Sequence, residues 1–250
     1  MSQSILVTGS TRGIGLEIAR KFNSCGWKVI ATSRNEVDMT NFCKEFENKK
    51  NIEHFKVNFG SNAEIHQLKI DIENTHGLVD CLVINVGSGS GAIGIHSDFD
   101  QNLQLLDNNF FTAYRSLKIL KDVLIKSDKS RVIIIGSAAG KVNVGAPINY
   151  SAAKFALASL LKNYVKILSK DGISLNLINP GHTFTKGGLW DKKIKLDPIG
   201  VQKMLTEYVP LNKLGLGSDL AEFTYLLAQM GSNYLNGAQI DLDGGLTIAH

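Results

Sequence analysis

Residues 4–24 read SILVTGSTRGIGLEIARKFNS, and two periodicities meet in them. Ile5 to Thr8 is a short, apolar, β-rich run. From Gly13 to Ser24, Ile14, Ile18 and Phe22 recur every four residues, which is the spacing of one helix face. A glycine-rich turn joins the two. The pattern repeats along the chain. Further strands are expected at Val29 to Thr32, Ile52 to Val57, Cys81 to Ile84, Val132 to Ile135, Ser174 to Ile178 and Ala238 to Leu242, with helical spacing between the first six, as again over Phe155 to Leu168. Strand and helix in alternation imply parallel pairing through right-handed crossovers, with helices on both sheet faces. The fold class read from this is α/β, a doubly wound parallel sheet of about seven strands. No fixed-period repeat, low-complexity tract or Pro/Ser-rich linker divides the chain, so residues 1–250 are expected to form a single domain.

Composition narrows the function classes. The 250 residues are 44% hydrophobic and 20% charged, which is ordinary for a globular protein and excludes disordered and fibrous classes. A net charge of +4 with no lysines gathered on one helix or strand argues against a nucleic-acid module. Cys25, Cys43 and Cys81 have neither CxxC nor Cys/His spacing, and are expected to be reduced core thiols in a cytosolic protein, with no metal site. No apolar run reaches the ~18 to 20 residues of a membrane span, and MSQSILVTGS enters a strand without a basic leader. A cytoplasmic protein with no membrane partner is the expectation.

In a doubly wound sheet, ligands bind beyond the carboxyl ends of the strands. There the first strand runs into Thr8-Gly9-Ser10-Thr11-Arg12-Gly13-Ile14-Gly15. Glycines permit a tight turn and close approach to a pyrophosphate, and the following helix N-terminus offers free N–H groups. A glycine-rich loop of no function is the alternative; its place between first strand and first helix favours a nucleotide site. Farther along, residues 131–154 read RVIIIGSAAGKVNVGAPINYSAAK. Ser137 stands at a strand end, Pro147 opens a long helix, and Tyr150 and Lys154 lie one turn apart on that helix. Bringing a phenol's pKa from about 10 to about 7 takes roughly 4 kcal/mol of preferential phenolate stabilisation, part of which a neighbouring cation supplies. Tyr150 is therefore a candidate general acid/base, and Ser137 can meet the same reacting oxygen.

The TGxxxGxG turn at 8–15, Asn85-Val86-Gly87, Asn109, Ser137, YxxxK at 150–154 and Pro180-Gly181 follow one another in an order that resembles the short-chain dehydrogenase/reductase family over nearly the whole chain. The resemblance implies a Rossmann-like domain and a catalytic tetrad of Asn109, Ser137, Tyr150 and Lys154. Tyr150 would exchange a proton with the substrate oxygen and Ser137 would orient that oxygen. Lys154 would hold the nicotinamide ribose and lower the Tyr150 pKa, and Asn109 would support a proton-carrying water. Cofactor contacts are implied for Gly9, Ser10, Thr11, Arg12, Gly13, Ile14, Gly15, Asn85, Val86, Gly87, Tyr150, Lys154, Pro180, Gly181, Thr183 and Thr185, with Asn58 and Phe59 near the adenine. Asn58 replaces the family's usual Asp, and Val86 its usual Ala; Val86 either crowds the cofactor or packs behind it. At the end of the second strand Ser33 takes the place of the carboxylate that binds the ribose of NAD. Arg34 follows it and, with Arg12, is suited to a 2′-phosphate. NADP(H) is the expected cofactor, with NAD(H) as the alternative.

Substrate choice should lie in a lid from His182 to about Leu211, a segment with few signals of regular structure. Lys186, Trp190, Lys192, Lys193 and Lys195 outweigh Asp191 and Asp197 there, which suits an anionic or sugar-derived substrate, or is simply a solvated surface whose Trp190 packs at a subunit contact. His182 is expected to pack or hydrogen-bond, and Ser88-Gly89-Ser90-Gly91 to form a small-residue loop toward the cleft. The helices at about 100–125 and 149–170 should pair between subunits through Ala152, Ala156 and Leu160, giving a homodimer or homotetramer. The function expected is an NADP(H)-dependent oxidoreductase acting on a carbonyl or hydroxyl of a small polar substrate. The alternatives are a 3-oxoacyl-[acyl-carrier-protein] reductase and a non-catalytic NADP(H)-sensing regulator. Relatives that hold an acidic carrier use basic residues at the ends of the long helices. Here Asp128 and Asp171 occupy those ends, flanked by Lys126, Lys129 and Lys170.

Overall fold

The structure is a computed structural model and describes residues 3–37, 39–89, 98–128 and 130–249. The chain begins with β1 (Ser4–Val7), α1 (Gly13–Ser24), β2 (Lys28–Ser33), α2 (Met39–Cys43), β3 (Ile52–Lys56), α3 (Asn62–Thr75) and β4 (Cys81–Ile84). It continues through α4 (Phe99–Leu106), α5 (Thr112–Ile125), β5 (Arg131–Ile135), α6 (Ile148–Leu168) and β6 (Ser174–Pro180). The last part holds β7 (Thr183–Phe184), α7 (Leu189–Leu196), α8 (Pro198–Tyr208), β8 (Gly215–Leu216), α9 (Gly217–Gln229), β9 (Gln239–Leu242) and α10 (Leu246–Ala249).

β3-β2-β1-β4-β5-β6-β9 form one parallel sheet in that order. Winding proceeds one way from β1 to β3 and the other way from β4 onward, so the direction reverses between β1 and β4. The strands show why two helical layers are needed. Leu6, Ile30, Leu82, Val132, Ile134 and Leu175 point to one face, where Ile65, Leu68, Leu117, Leu120, Leu157 and Leu161 of α3, α5 and α6 cover them. Ile5, Val7, Val29, Ala31, Val83 and Ile133 point to the other, beneath Ile18 and Phe22 of α1 and Leu220 and Leu227 of α9. Side chains on successive strand positions alternate faces, so an apolar run of four or five residues demands cover on both.

Three local features differ from the sequence reading. The segment after Gly181 is largely helical. Asp197 caps α8 by accepting from the Gly200 amide (2.8 Å), and Pro198 occupies the first turn, where its missing N–H costs nothing. The helix expected over 100–125 is interrupted by a π turn at Asp107–Phe111. Only Cys81 is a core thiol; Cys43 is partly buried and Cys25 is exposed.

Phe22 is fully buried and meets Trp27 and Tyr225 edge-on, at ring-centroid distances of 5.0 and 5.3 Å. It thereby ties α1 to β2 and α9. Phe22→Ala should lower the unfolding free energy by about 3–5 kcal/mol, read by urea denaturation through the fluorescence of buried Trp27. A loss under about 1 kcal/mol would contradict this packing account.

Candidate active site

The crevice is built where β1 and β4 part. Thr8 accepts through its hydroxyl oxygen from the amides of Asn85 (2.8 Å) and Val86 (3.1 Å). The Asn85 side chain in turn donates to the carbonyls of Thr8 (3.1 Å) and Gly9 (3.0 Å). These bonds lock the glycine turn to the loop after β4. Gly15 has no alternative there: a Cβ would stand 2.3 Å from the Gly9 carbonyl oxygen and 2.6 Å from Asn85 Nδ2. Gly9 and Gly13 have φ of +66° and +60°, the left-handed region that a side chain disfavours.

At the N-terminus of α1 no side chain caps the free amides and no acidic residue lies in the first turn. Arg12 and Thr11 flank it, and Thr185 approaches Gly13 from the segment after β6. Such a terminus favours an anion. Ser10 is turned inward: its hydroxyl oxygen accepts from the Thr32 amide (2.7 Å), and Ser10 is fully buried. Its side chain braces β2 instead of facing a ligand. Ile14 packs against the α1/α9 core, and Val86, partly buried against the opposite core, turns a methyl toward Gly9 of the glycine turn.

Beyond β2, Ser33 Oγ donates to the Asn35 carbonyl (2.7 Å) and bonds His54 Nε2 (3.0 Å). Burial holds His54 below the usual histidine pKa. Arg34 and Arg12 are exposed, and neither joins an ion pair among the described residues. Asn58 Oδ1 accepts from the Gly60 amide (3.0 Å), which engages the oxygen expected to receive an adenine amine. Phe59 is corrected more strongly. It is 2% exposed and lies in the core cluster with Ile65 and Leu68, so its ring is withdrawn from any ligand.

On the β5 side, Ser137, Tyr150, Lys154 and Asn109 converge. The Ser137 hydroxyl lies near enough to the Tyr150 phenol to favour its ionised form, and it accepts from the Ala139 amide (3.1 Å). Lys154 is 6% exposed; its Nζ donates to the Ile135 carbonyl (3.0 Å) and stands 5.7 Å from the Tyr150 ring centroid. Asn109, carried inward by the π turn, donates to the carbonyls of Ser88 (3.0 Å) and Leu105 (2.9 Å) and accepts from the Ser88 amide (3.1 Å). Its side chain thus clamps the loop after β4. Gly87 lies where a Cβ would meet Asn109 Oδ1 at 2.5 Å and Lys154 Nζ at 3.3 Å, and Gly89 passes the Tyr150 ring. Ser90 and Gly91 lie outside the described residues.

The electrostatics differ from the expectation that Lys154 lowers the Tyr150 pKa. Burial pushes the Tyr150 phenol above its ordinary value, against the pull of the Ser137 hydroxyl. Burial also pulls the Lys154 ammonium down to about 8. Tyr150 is thus a neutral phenol around pH 7, the form that gives up a proton.

Pro180 is buried, and Gly181 packs where a Cβ would stand 2.7 Å from Asp243 Cα. Thr183 donates to the Gly181 carbonyl (3.1 Å). His182 packs at a tilt against Trp190 (4.4 Å between centroids, 45° between planes), and Lys193 Nζ lies 4.6 Å from the Trp190 ring centroid. Trp190 therefore belongs to the wall beside the site. Between α7 and α8 runs a groove of about 300 Å³ lined by Trp190, Lys193, Leu196, Asp197, Val201 and Met204. Val201 and Met204 also pack against the small core cluster of Ala138, Leu205, Val209 and Leu246.

Sequence reasoning missed Thr8 and Thr32 as braces of the glycine turn, because a threonine at a strand end carries no mark of its partner. It also missed the α8 helix, for which Asp197-Pro198 was a readable start signal.

Comparison with known proteins agrees with this geometry. The sequence model of the short chain dehydrogenase family matches residues 3–189. The 3-oxoacyl-[acyl-carrier-protein] reductase MabA of Mycobacterium avium is 27% identical, over 100% of this chain and 92% of that protein. The 3-oxoacyl-[acyl-carrier-protein] reductase FabG of Haemophilus influenzae is 28% identical, over 98% of each. Among solved structures, RhlG of Pseudomonas aeruginosa in an active-site complex with NADP superposes with a TM-score of 0.87 at 25% identity, covering 98% of this chain and 96% of that one. ElxO with NADP bound gives 0.91 at 23%, covering 98% and 99%, a likeness of fold. With its sheet order, glycine turn and Ser137–Tyr150–Lys154 grouping, the chain belongs to the short chain dehydrogenase family, oxidoreductases acting between CH–OH and C=O.

Proposed function

We propose that this protein is an NADPH-dependent reductase that acts on the carbonyl of a small anionic substrate. The observation that carries the reading is the buried grouping of a neutral Tyr150 with Ser137 and Lys154, together with the uncapped N-terminus of α1. The residues fit a phosphorylated dinucleotide: the uncapped α1 amides would hold the pyrophosphate, and the exposed Arg12 and Arg34 would hold the 2′-phosphate. NADP in the RhlG and ElxO structures supports the same choice.

Bound there, the nicotinamide supplies the hydride. Tyr150 gives its proton to the substrate oxygen as charge develops, and Ser137 holds that oxygen by a hydrogen bond. Lys154 supports the charge left on Tyr150, and Asn109 keeps the loop at Gly87 and Ser88 against the site. The segment 182–211 forms the substrate lid of this single domain. Lys186 and Lys192, which join no ion pair among the described residues, and Lys193 beside Trp190 give it a positive face for an anionic group.

A second reading, reduction of a 3-oxoacyl thioester, is favoured by the apolar groove along Leu196, Val201 and Met204 and by the names of MabA and FabG. Docking of an acidic carrier at the long helices has less support, because Lys121 is paired with Asp171 (2.6 Å) and Lys126 with Glu73 (3.0 Å). Lys129 lies outside the described residues.

The protein is further assigned to the cytosol as a homo-oligomer. Among the described residues no helix is long and apolar enough to cross a membrane. The face offered for pairing is that of Phe99, Leu103, Ile148 and Phe155, the last 68% exposed. Leu160, expected beside Ala152 and Ala156 at the subunit contact, is buried in the core.

Three measurements test the reading. In a screen of acetoacetyl thioesters and phosphorylated ketones with NADPH, Tyr150→Phe should lower kcat by about a hundredfold or more with NADPH affinity unchanged. Full turnover by that variant would remove Tyr150 from the chemistry. Arg34→Ala should weaken NADPH binding about tenfold or more and leave NADH nearly unaffected; equal losses would remove the 2′-phosphate assignment. Because Lys154 is charged only below its depressed pKa of about 8, kcat/KM for reduction should fall as pH rises through that value. A flat profile across that range would mean that its charge is not used.

A further inference from the structure

Behind the turn that carries Ser137 lies a polar chain that the proposed chemistry does not use. Asn179 is 3% exposed on β6, where its Oδ1 accepts from the Ser137 amide (3.3 Å). Its Nδ2 donates to Asp241 Oδ1 (3.0 Å), on the residue directly across from it in β9. The second oxygen of Asp241 pairs with Lys141 Nζ (2.5 Å). Lys141 directly follows the single 3₁₀ turn Ala138–Gly140 that starts at Ser137. The chain of contacts leaves the turn at one end and returns to it at the other.

Space around the turn is shaped for this. A Cβ on Gly136 would stand 2.3 Å from Asn179 Oδ1, so glycine is what lets the amide lie beneath the turn. On the far side a Cβ on Gly140 would meet the backbone of Lys154 and Phe155 at 2.8 Å, which seats the turn on α6 beside Tyr150 and Lys154. Donor and acceptor chemistry allows the Asn179 amide one orientation: a carboxylate only accepts and a backbone N–H only donates. Asp241 therefore aims Oδ1 at Ser137.

We infer that Asn179 is a positioning residue for Ser137, with Asp241 fixing its amide and Lys141 tying Asp241 back to the same turn. The inference rests on the proposed role of Ser137. Holding the Ser137 amide fixes where Oγ stands beside Tyr150, while Oγ itself accepts from the Ala139 amide. The Lys141–Asp241 pair is partly exposed and adds little stability; its contribution is direction.

The test reads the Ser137–Tyr150 contact without a substrate. In protein carrying isotope-labelled tyrosine, the Tyr150 ring resonance is assigned by its loss in Tyr150→Phe. Ser137→Ala should move it, and Asn179→Ala should move it in the same sense by a comparable amount. Asn179→Asp places two carboxylates together and should also move it. The Asn179→Asp/Asp241→Asn double variant exchanges amide and carboxylate, keeps an acceptor for the Ser137 amide and should return the resonance toward its original place. With the best carbonyl substrate, kcat should fall about ten- to a hundredfold in Asn179→Ala while KM for NADPH holds, and recover in the exchange. An Asn179→Ala resonance left unmoved while Ser137→Ala shifts it would overturn the inference alone. An exchange no better than Asn179→Asp would do the same. Full turnover and an unmoved resonance in Ser137→Ala would overturn both this inference and the role proposed for Ser137.

Discussion

A lysine ammonium buried without a carboxylate is the constraint around which the site is arranged. Lys154 is nearly enclosed, and the neighbour that answers its charge is the carbonyl of Ile135 at the end of β5. Desolvation of an ammonium is expensive, and one dipole returns a fraction of the cost, which is why its pKa falls to about 8. A fold keeps such a group when something else uses the charge. The bond to Ile135 fixes α6 on the end of β5, so Tyr150, one turn earlier, comes to rest against Ser137. The opposite wall closes on Lys154 through Gly87, whose missing side chain leaves room for Nζ and for Asn109 Oδ1 together.

The two halves of the site answer to different physics. Around the glycine turn the bonds are between backbone groups and short side chains: Thr8 to Asn85 and Val86, Ser10 to Thr32. They shape a cradle of free amides and leave Arg12 and Arg34 unspent at its rim. Around Tyr150 the groups are buried and titratable, and their environment sets their protonation. Burial raises the phenol and lowers the ammonium, which drives their pKa values apart. A phenol that keeps its proton at neutral pH is in the form that can donate to a developing alkoxide.

Much of this was legible in the sequence, and the limits have physical causes. The alternation of short β-rich runs with four-residue spacing located all seven strands of the main sheet: the central strands, buried on both faces, are apolar throughout, while β3 and β9 at the edges carry polar residues. The order of the glycine turn, Ser137, Tyr150 and Lys154 named residues that the fold gathers at one end of the sheet, because spacing along a helix or a strand end is local. What failed was direction and partnership. Phe59 and Leu160 each follow a segment whose register decides whether a side chain faces in or out, and both face in. The expected lowering of the Tyr150 pKa counted a neighbouring cation and omitted the desolvation that outweighs it. Ser10 sits in a ligand-binding turn yet spends its hydroxyl on Thr32, a partner 22 residues away. The chain Ser137–Asn179–Asp241–Lys141 joins β5, β6 and β9, and no local pattern marks it.

The charge distribution adds a final step. Arg12 and Arg34 lie at the β1–β2 edge of the crevice, whereas Lys186, Lys192 and Lys193 belong to the segment after β6. Asp191 is held ionised by the Gly187 amide and Lys195, and so it draws one lysine of that segment away from the others. Two positive faces thus stand on separate elements with Tyr150 between their strands, one suited to the phosphates of the proposed cofactor and the other to an anionic substrate. Trp190, held between His182 and Lys193, gives the second face an apolar floor. A ligand that joins an anionic group to a flat or extended apolar part would satisfy both features at once, while a neutral sugar would leave the lysines unanswered.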